Sequence, residues 1–174
     1  MENIKNKSLK ACCFIGHRNI QKNDSIELEL HKIIETLIVN KNVSYFLFGS
    51  KSKFNDLCHL IVTKLKEKYS YIERIEYTCK SEDCLLEKDK NKWEEINKQL
   101  LKNNSNLLFY DYEFEFKNKY VAGRASYIER NFSMIDDSFY CVFYCKLNSN
   151  VKSGTQIAYQ YAIRKKKQII NVYK

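Results

Sequence analysis

Short unbroken apolar runs alternate along this chain with stretches in which apolar residues return every three or four positions. Ala11-Cys-Cys-Phe-Ile15 is the first run; it stops at Gly16-His17-Arg18 and fits a strand covered on both faces. Asp24 or Ser25 can then cap a helix whose Ile26, Leu30, Ile33 and Leu37 share one side. Ser44 to Phe48 is a second run, closed by Gly49-Ser50. Phe54, Leu57, Ile61 and Leu65 make the stripe of a second helix, and Tyr71 to Cys79 reads as a third strand. Leu86 to Lys102 fits a charged surface helix that holds Trp93, Ile96 and Leu100 inward. From Leu107 to Phe116 aromatics alternate with acids, a pattern that suits an edge strand or a mobile loop. Ala125, Ile128, Phe132 and Ile135 stripe a helix from about Arg124 to Asp136. Phe139 to Tyr144 is again a strand. Ser153-Gly154-Thr155 opens a helix with Ile157, Ala158, Tyr161 and Ala162 inward, and Gln168 to Val172 is the last strand.

Strand and helix in alternation predict one doubly wound α/β domain, with a mainly parallel sheet and helices on both faces. Residues 1–10 read as a polar tail and 11–174 as the domain. A chain of 174 residues with 44% hydrophobic content supports one sizeable core and excludes a disordered protein. No stretch approaches the run of about 20 apolar residues that spans a membrane, and Ala11 to Ile15 is too short for a signal-peptide core. The expected location is the cytoplasm.

Net charge is +9, and its placement changes the picture more than its size. Residues 1–87 carry 14 basic and 12 acidic groups, whereas Lys146 to Lys174 hold seven basic groups and no acid. Within that stretch Arg164-Lys-Lys-Lys167 fits the last turn of a helix, where cations complement the dipole. An anion-binding patch is the other reading. Asp136-Asp137 ends a helix where the dipole disfavours acids, which suggests a specific pairing, with Arg124 and Arg130 as candidate partners. Seven Cys without a secretory signal point to reduced thiols. No CxxC pair occurs, so no metal site and no cofactor are expected, and Cys12, Cys13, Cys141 and Cys145 read as small buried hydrophobes.

In open parallel sheets ligands bind beyond the carboxyl ends of strands, where helix N-termini offer free N–H groups. The polar signals fall at such places: Gly16, His17 and Arg18, then Gly49 and Ser50, then Ser153, Gly154 and Thr155. Gly admits close backbone approach, Ser and Thr add hydroxyls, and Arg18 supplies a fork suited to phosphate. His17 could instead cap its turn through the backbone. His31 and His59, in helix patterns without partners, read as structural. Asp56 fits either a helix cap or a ribose ligand.

Cys12-Cys-Phe-Ile-Gly-His-Arg18, Phe48-Gly-Ser with Phe54-Asn-Asp56, Arg130-Asn-Phe-Ser-Met-Ile-Asp136, and Ser153-Gly-Thr155 with Ala158 and Tyr161-Ala162 follow one another in order. Together they resemble the SLOG superfamily, and more closely its bacterial branch that includes the YpsA group. The resemblance implies a Rossmann-like sheet and a pocket for a nucleotide or nucleotide-derived ligand, with Arg130 and Asn131 joining the residues above. In the related lonely guy phosphoribohydrolases the pocket carries an Arg-Lys-x-x-Met segment and a Gly-Gly-x-Gly-Thr-x-x-Glu loop. Arg130 and Met134 match the first and Gly154 and Thr155 the second. Asn131 replaces the Lys, and Ala158 stands where the catalytic Glu would be. Asp56, Glu129, Asp136 or Asp137 could stand in for that carboxylate.

The leading expectation is a ligand-binding protein that senses or sequesters a nucleotide-derived small molecule, a role that includes sequestering a signal in bacterial immunity. The first alternative is an N-glycosidase or transferase acting on nucleoside phosphates. The second is single-stranded nucleic-acid binding, which the basic C-terminal stretch and the aromatics suggest and the clustering of the cations at one helix end disfavours. The resemblance also implies a homodimer or higher homo-oligomer, with Tyr127, Phe132 and Phe139 as candidate interface residues.

Overall fold

The computed structural model describes residues 8–20, 24–49, 52–79, 112–116, 124–147 and 153–174. The strands are β1 (Ala11–Gly16), β2 (Tyr45–Phe48), β3 (Glu73–Cys79), β4 (Tyr112–Phe116), β5 (Tyr140–Tyr144) and β6 (Gln168–Asn171). The helices are α1 (Asp24–Lys41), α2 (Lys53–Lys68), α3 (Arg124–Asp136) and α4 (Gly154–Arg164). All strand pairs are parallel, in the order β4-β3-β2-β1-β5-β6. This is the doubly wound α/β sheet that the alternation predicts. The segment of alternating aromatics and acids resolves, over Tyr112–Phe116, as an edge strand beside β3. The helix expected over Leu86–Lys102 lies outside the described residues, as do residues 107–111 and Ser50.

Side chains alternate between the two faces of each strand, and this period of two divides the core. Cys12, Phe14, Phe46, Phe48 and Val142 point to one face, where Leu30, Ile34 and Ile38 of α1 and Phe54, Ile61 and Val62 of α2 cover them. Cys13, Ile15, Leu47, Ile75, Cys141 and Phe143 point to the other, under Met134 and Ile135 of α3 and Ala158 and Ala162 of α4. β1 is buried along its whole length because strands flank it and helices cover both faces. Continuous apolar runs therefore encode the central strands.

Several helix ends have visible causes. Asn42, just past α1, adopts φ 55°, a left-handed conformation that Asn tolerates. Ser52 caps α2 by accepting the Asn55 N–H at 3.2 Å, so the cap is Ser52 rather than Asp56. Ser153 caps α4 in a reciprocal box with Gln156.

The stripe expected on α3 is turned. Buried on this helix are Arg130, Asn131, Met134 and Ile135, whereas Ile128 and Phe132 are only half-buried. Phe132 instead stacks on Tyr161 of α4, ring centroids 3.9 Å apart. A hydrophobic count cannot anticipate two polar residues facing a sheet, so of the expected stripe Ile135 lies on the inner face while Ile128 and Phe132 lie on the flank.

Gly16 ends β1 directly beneath Phe54. A Cβ built on this glycine would overlap the Phe54 ring and lie 2.8 Å from its Cβ. The φ of Gly16 is not positive, so space rather than backbone conformation requires glycine here. Gly16→Ala should lower stability by about 1–3 kcal/mol, the usual cost of overpacking. Adding Phe54→Leu should recover part of the loss. Urea midpoints at unchanged m-value would measure both changes.

Candidate functional site

Strand order reverses between β1, from which the chain winds toward β2, and β5, from which it winds toward β6. At such a reversal the crossover connections leave on opposite faces, and a crevice opens beyond the strands' carboxyl ends. Gly16, His17 and Arg18 leave β1 here, and Cys145 and Lys146 leave β5 beside them.

His17 is bound into the frame of this crevice. Its N–H donates to the Tyr144 carbonyl at 3.2 Å, and its Nε2 accepts the Lys146 N–H at 2.9 Å. The bond to Nε2 requires a neutral ring with its proton on Nδ1. Burial pushes the imidazole below its ordinary value, in keeping with that neutral form. The ring meets Tyr144 and Tyr173 edge-on, and Tyr144 in turn stacks on Phe54 at 5.7 Å. His17 thus links the ends of β1 and β5, the backbone-capping alternative that its position after a strand allows.

Two further side chains extend the frame. Asn171 accepts the Cys145 N–H at 3.0 Å and donates to the Cys145 carbonyl at 2.9 Å, adding a side-chain rung where the β5–β6 ladder stops. Gln156 donates to the carbonyls of Lys146 and Leu147, tying the strand exit to the start of α4. Sequence reasoning missed both, because an isolated Asn or Gln carries no periodic signal. Ser52 was discoverable, being a Ser before an apolar stripe.

Gly49 ends β2 under α3. A Cβ there would lie 2.7 Å from Met134 Sδ and 3.1 Å from both Arg130 Nε and the Tyr77 carbonyl oxygen. The glycine therefore gives Arg130 and Met134 room to lie on the strand end. Arg130 is only 2% exposed, with its guanidinium 5.2 Å from the centre of the Tyr127 ring. Guanidinium does not deprotonate in proteins, so this is a permanent cation held inside the carboxyl edge. Next to it in the chain, Asn131 is buried as well, and its Oδ1 accepts no hydrogen bond from the described residues. Asn55, in the first turn of α2, likewise keeps a buried Oδ1 that accepts none from them.

The remaining expected residues divide by what they already do. Ser153 commits its hydroxyl to the Gln156 N–H, and Thr155 is buried. Gly154 opens α4 without a positive φ, and among the described residues nothing lies within 4 Å of where its Cβ would be. Arg18 is exposed at its side chain, while its carbonyl receives the Lys53 N–H at 3.0 Å and so anchors the β1 exit to α2. Asp56 is an exposed residue in the first turn of α2, yet desolvation by the surrounding protein pushes its carboxyl up to about 6. Ala158 is 1% exposed in the core under α4. Ala158 is thus a packing residue.

The acids that end α3 have partners other than the arginines. Asp136 pairs with Lys165 at 2.9 Å and accepts from the Tyr161 hydroxyl at 2.8 Å; Asp137 accepts from the Tyr77 hydroxyl at 2.8 Å. α3 runs away from the carboxyl edge, so both lie toward the opposite end of the sheet. Lys167 donates to the Asp136 and Ser138 carbonyls. Two of the four clustered cations therefore complete the end of α3. His59 is buried edge-on to Phe48, and the half-buried His31 lies 4.0 Å from Glu35. Among the described residues no group of three or more His, Cys, Asp or Glu is placed to hold a metal ion, and no helix is long and apolar enough to cross a membrane.

No family model matches the chain, and no curated protein matches it either.

The His17 bond makes stability depend on pH. The folded-state pKa lies below 6.5, so the unfolded chain binds the proton more readily. The contribution is complete above about pH 6.5 and is lost as pH falls through that value toward the lower folded one. His17→Gln keeps an acceptor that does not titrate. The wild-type minus variant difference in urea midpoint should therefore shrink on acidification from pH 8 to 5; a constant difference would assign the pH effect to other groups.

Proposed function

We propose that the protein binds a nucleotide or nucleotide-derived small molecule at the carboxyl edge of its sheet and acts as a sensor or sequestering protein, in the manner of the SLOG superfamily it resembles. The observation that carries this reading is the contact between Gly49 and Arg130: a strand end without a side chain, overlain by a buried permanent cation. Guanidinium favours planar, bidentate recognition of phosphate or carboxylate. The Asn131 Oδ1 offers a buried acceptor beside it, suited to an amino or hydroxyl group of a ligand. Gly154 supports the same reading. Since its backbone conformation does not demand glycine and no atom of the described residues crowds it, the missing side chain leaves the first N–H groups of α4 open to an anion.

Binding without turnover fits Ala158, where a carboxylate would have to be buried in an apolar core. One observation favours hydrolysis of an N-glycosidic bond as the second reading. Of the acids considered for that chemistry, Asp56 lies in the first turn of the helix that follows β2, and a carboxyl titrating at about 6 suits general acid–base work. Release of free base from a panel of nucleoside phosphates would identify turnover.

Heat-denaturing the purified protein and analysing the supernatant by mass spectrometry should release a nucleotide-derived compound. Returning that compound should raise Tm, as any ligand of the native state does. Failure of both this release and of millimolar nucleoside mono-, di- and triphosphates to raise Tm would overturn the proposal.

Gly154→Val is the sharper test of the site. Stability should stay within about 0.5 kcal/mol, as for other uncrowded surface positions. Affinity for the released compound should fall at least about tenfold, equivalent to about 1.4 kcal/mol. Calorimetry and urea titration on one preparation would read both.

A further inference from the structure

Cys13 and Cys141 are in register on the neighbouring strands β1 and β5, at the centre of the sheet. Both belong to the face covered by α3 and α4, so their side chains lie beside one another. Adjacent strands run about 4.7–4.9 Å apart, inside the roughly 4.4–6.8 Å that the Cα atoms of a disulfide require. The register also sets the pair three residues back from Gly16 and Tyr144, roughly 10 Å below the carboxyl edge at about 3.3 Å per residue.

We infer that Cys13 and Cys141 form an oxidisable dithiol, a modification site separate from the ligand edge, which a small hydroperoxide closes to a disulfide. Register on adjacent central strands and a shared face set this pair apart from the other buried thiols. The Cys141 sulfur lies 3.7 Å from the Ser138 hydroxyl, and Lys167 reaches the Ser138 carbonyl at 2.6 Å, bringing a cation to the same corner. The Cys13 S–H bond to Cys141, the Ser138 hydroxyl and the Lys167 charge together hold the Cys141 thiol below its ordinary value, although burial opposes them. Burial pushes Cys13 well up, which suits the partner that keeps its proton. Cys12 and Cys58, on the opposite face, have only raised values, dominated by burial, and so provide an internal control.

The chemistry balances with one equivalent of hydroperoxide. The Cys141 thiolate attacks the terminal peroxide oxygen; the O–O bond breaks, and the leaving hydroxide or alkoxide takes a proton to depart as water or alcohol. Cys141 is then a sulfenic acid. The Cys13 sulfur displaces its hydroxyl as water while losing its own proton, and the S–S bond forms. Two electrons pass from the thiols to the peroxide. Both sulfurs are fully buried, so the oxidant must be of about the size of water and must enter through local opening. Glutathione disulfide is far too large for that route.

Folded wild-type protein treated with hydrogen peroxide should lose two hydrogens in mass, and peptide mapping without reductant should find Cys13 joined to Cys141. Dithiothreitol should restore the original mass. Cys13→Ser, verified as folded by circular dichroism, should show no such loss and should instead let dimedone trap a sulfenic acid at Cys141. The wild-type map stands alone if that variant does not fold. Absence of the linkage, its location at Cys12–Cys58, or ready formation of a mixed disulfide with glutathione at Cys141 would each overturn the inference.

Discussion

Parallel strands leave their last carbonyls, and the first N–H groups of the helices that follow, along one edge. In this protein the pairing of β1 with β5 decides what gathers there. Because winding reverses at that pair, α1 and α2 lie on one face and α3 and α4 on the other. The two strand exits then need holding together where no ladder continues. His17, Gln156 and Asn171 do this with side-chain bonds to backbone groups of residues 145–147, so the mouth of the crevice is closed by polar contacts rather than by apolar packing.

Glycines at two neighbouring strand ends serve opposite purposes. At Gly16 the space is filled by an aromatic ring, which makes the contact part of the core. At Gly49 it is filled by a guanidinium and a thioether, which brings a cation into the edge. An aromatic ring adds apolar burial and no charge, whereas an enclosed cation is costly unless a negative or polar group answers it. The two glycines look alike in sequence; what covers them does not.

The architecture was legible in the sequence because the central strands are continuous apolar runs and because Asp24 and Ser153 mark the starts of α1 and α4. Apart from β4, whose expected segment starts at Leu107, the strand ends fall within two residues of the periodic reading, and Arg124–Asp136 is the helix the spacing predicts. The site was legible only as a set of positions. Spacing could bring Gly16, His17, Gly49 and Gly154 to one edge, with Arg130 added only by the resemblance, but it could not say that the His17 nitrogen is engaged by Lys146, or that the Ser153 hydroxyl caps its own helix. The inner face of α3 was legible only at Ile135 for the same reason. Burial of Arg130 and Asn131 is a tertiary fact, and local hydrophobicity opposes it. Asp136 found Lys165 across the α3–α4 packing, a partner that no short-range rule selects.

The register of the central pair also bears on how the molecule is made. Pairing β1 with β2 closes a loop of about 30 residues, and pairing β2 with β3 is of similar span, so one half of the sheet grows by local steps. Cys13 meets Cys141 only after most of the chain lies between them. Contacts of such long sequence separation slow folding, because the chain entropy of closure must be surrendered before the pairing rewards it. Of the strand pairs, β1–β5 spans the longest stretch of chain and so carries the largest closure cost. A chain in which that pair has not formed leaves β1 with an open apolar edge, the kind of edge that invites misassembly.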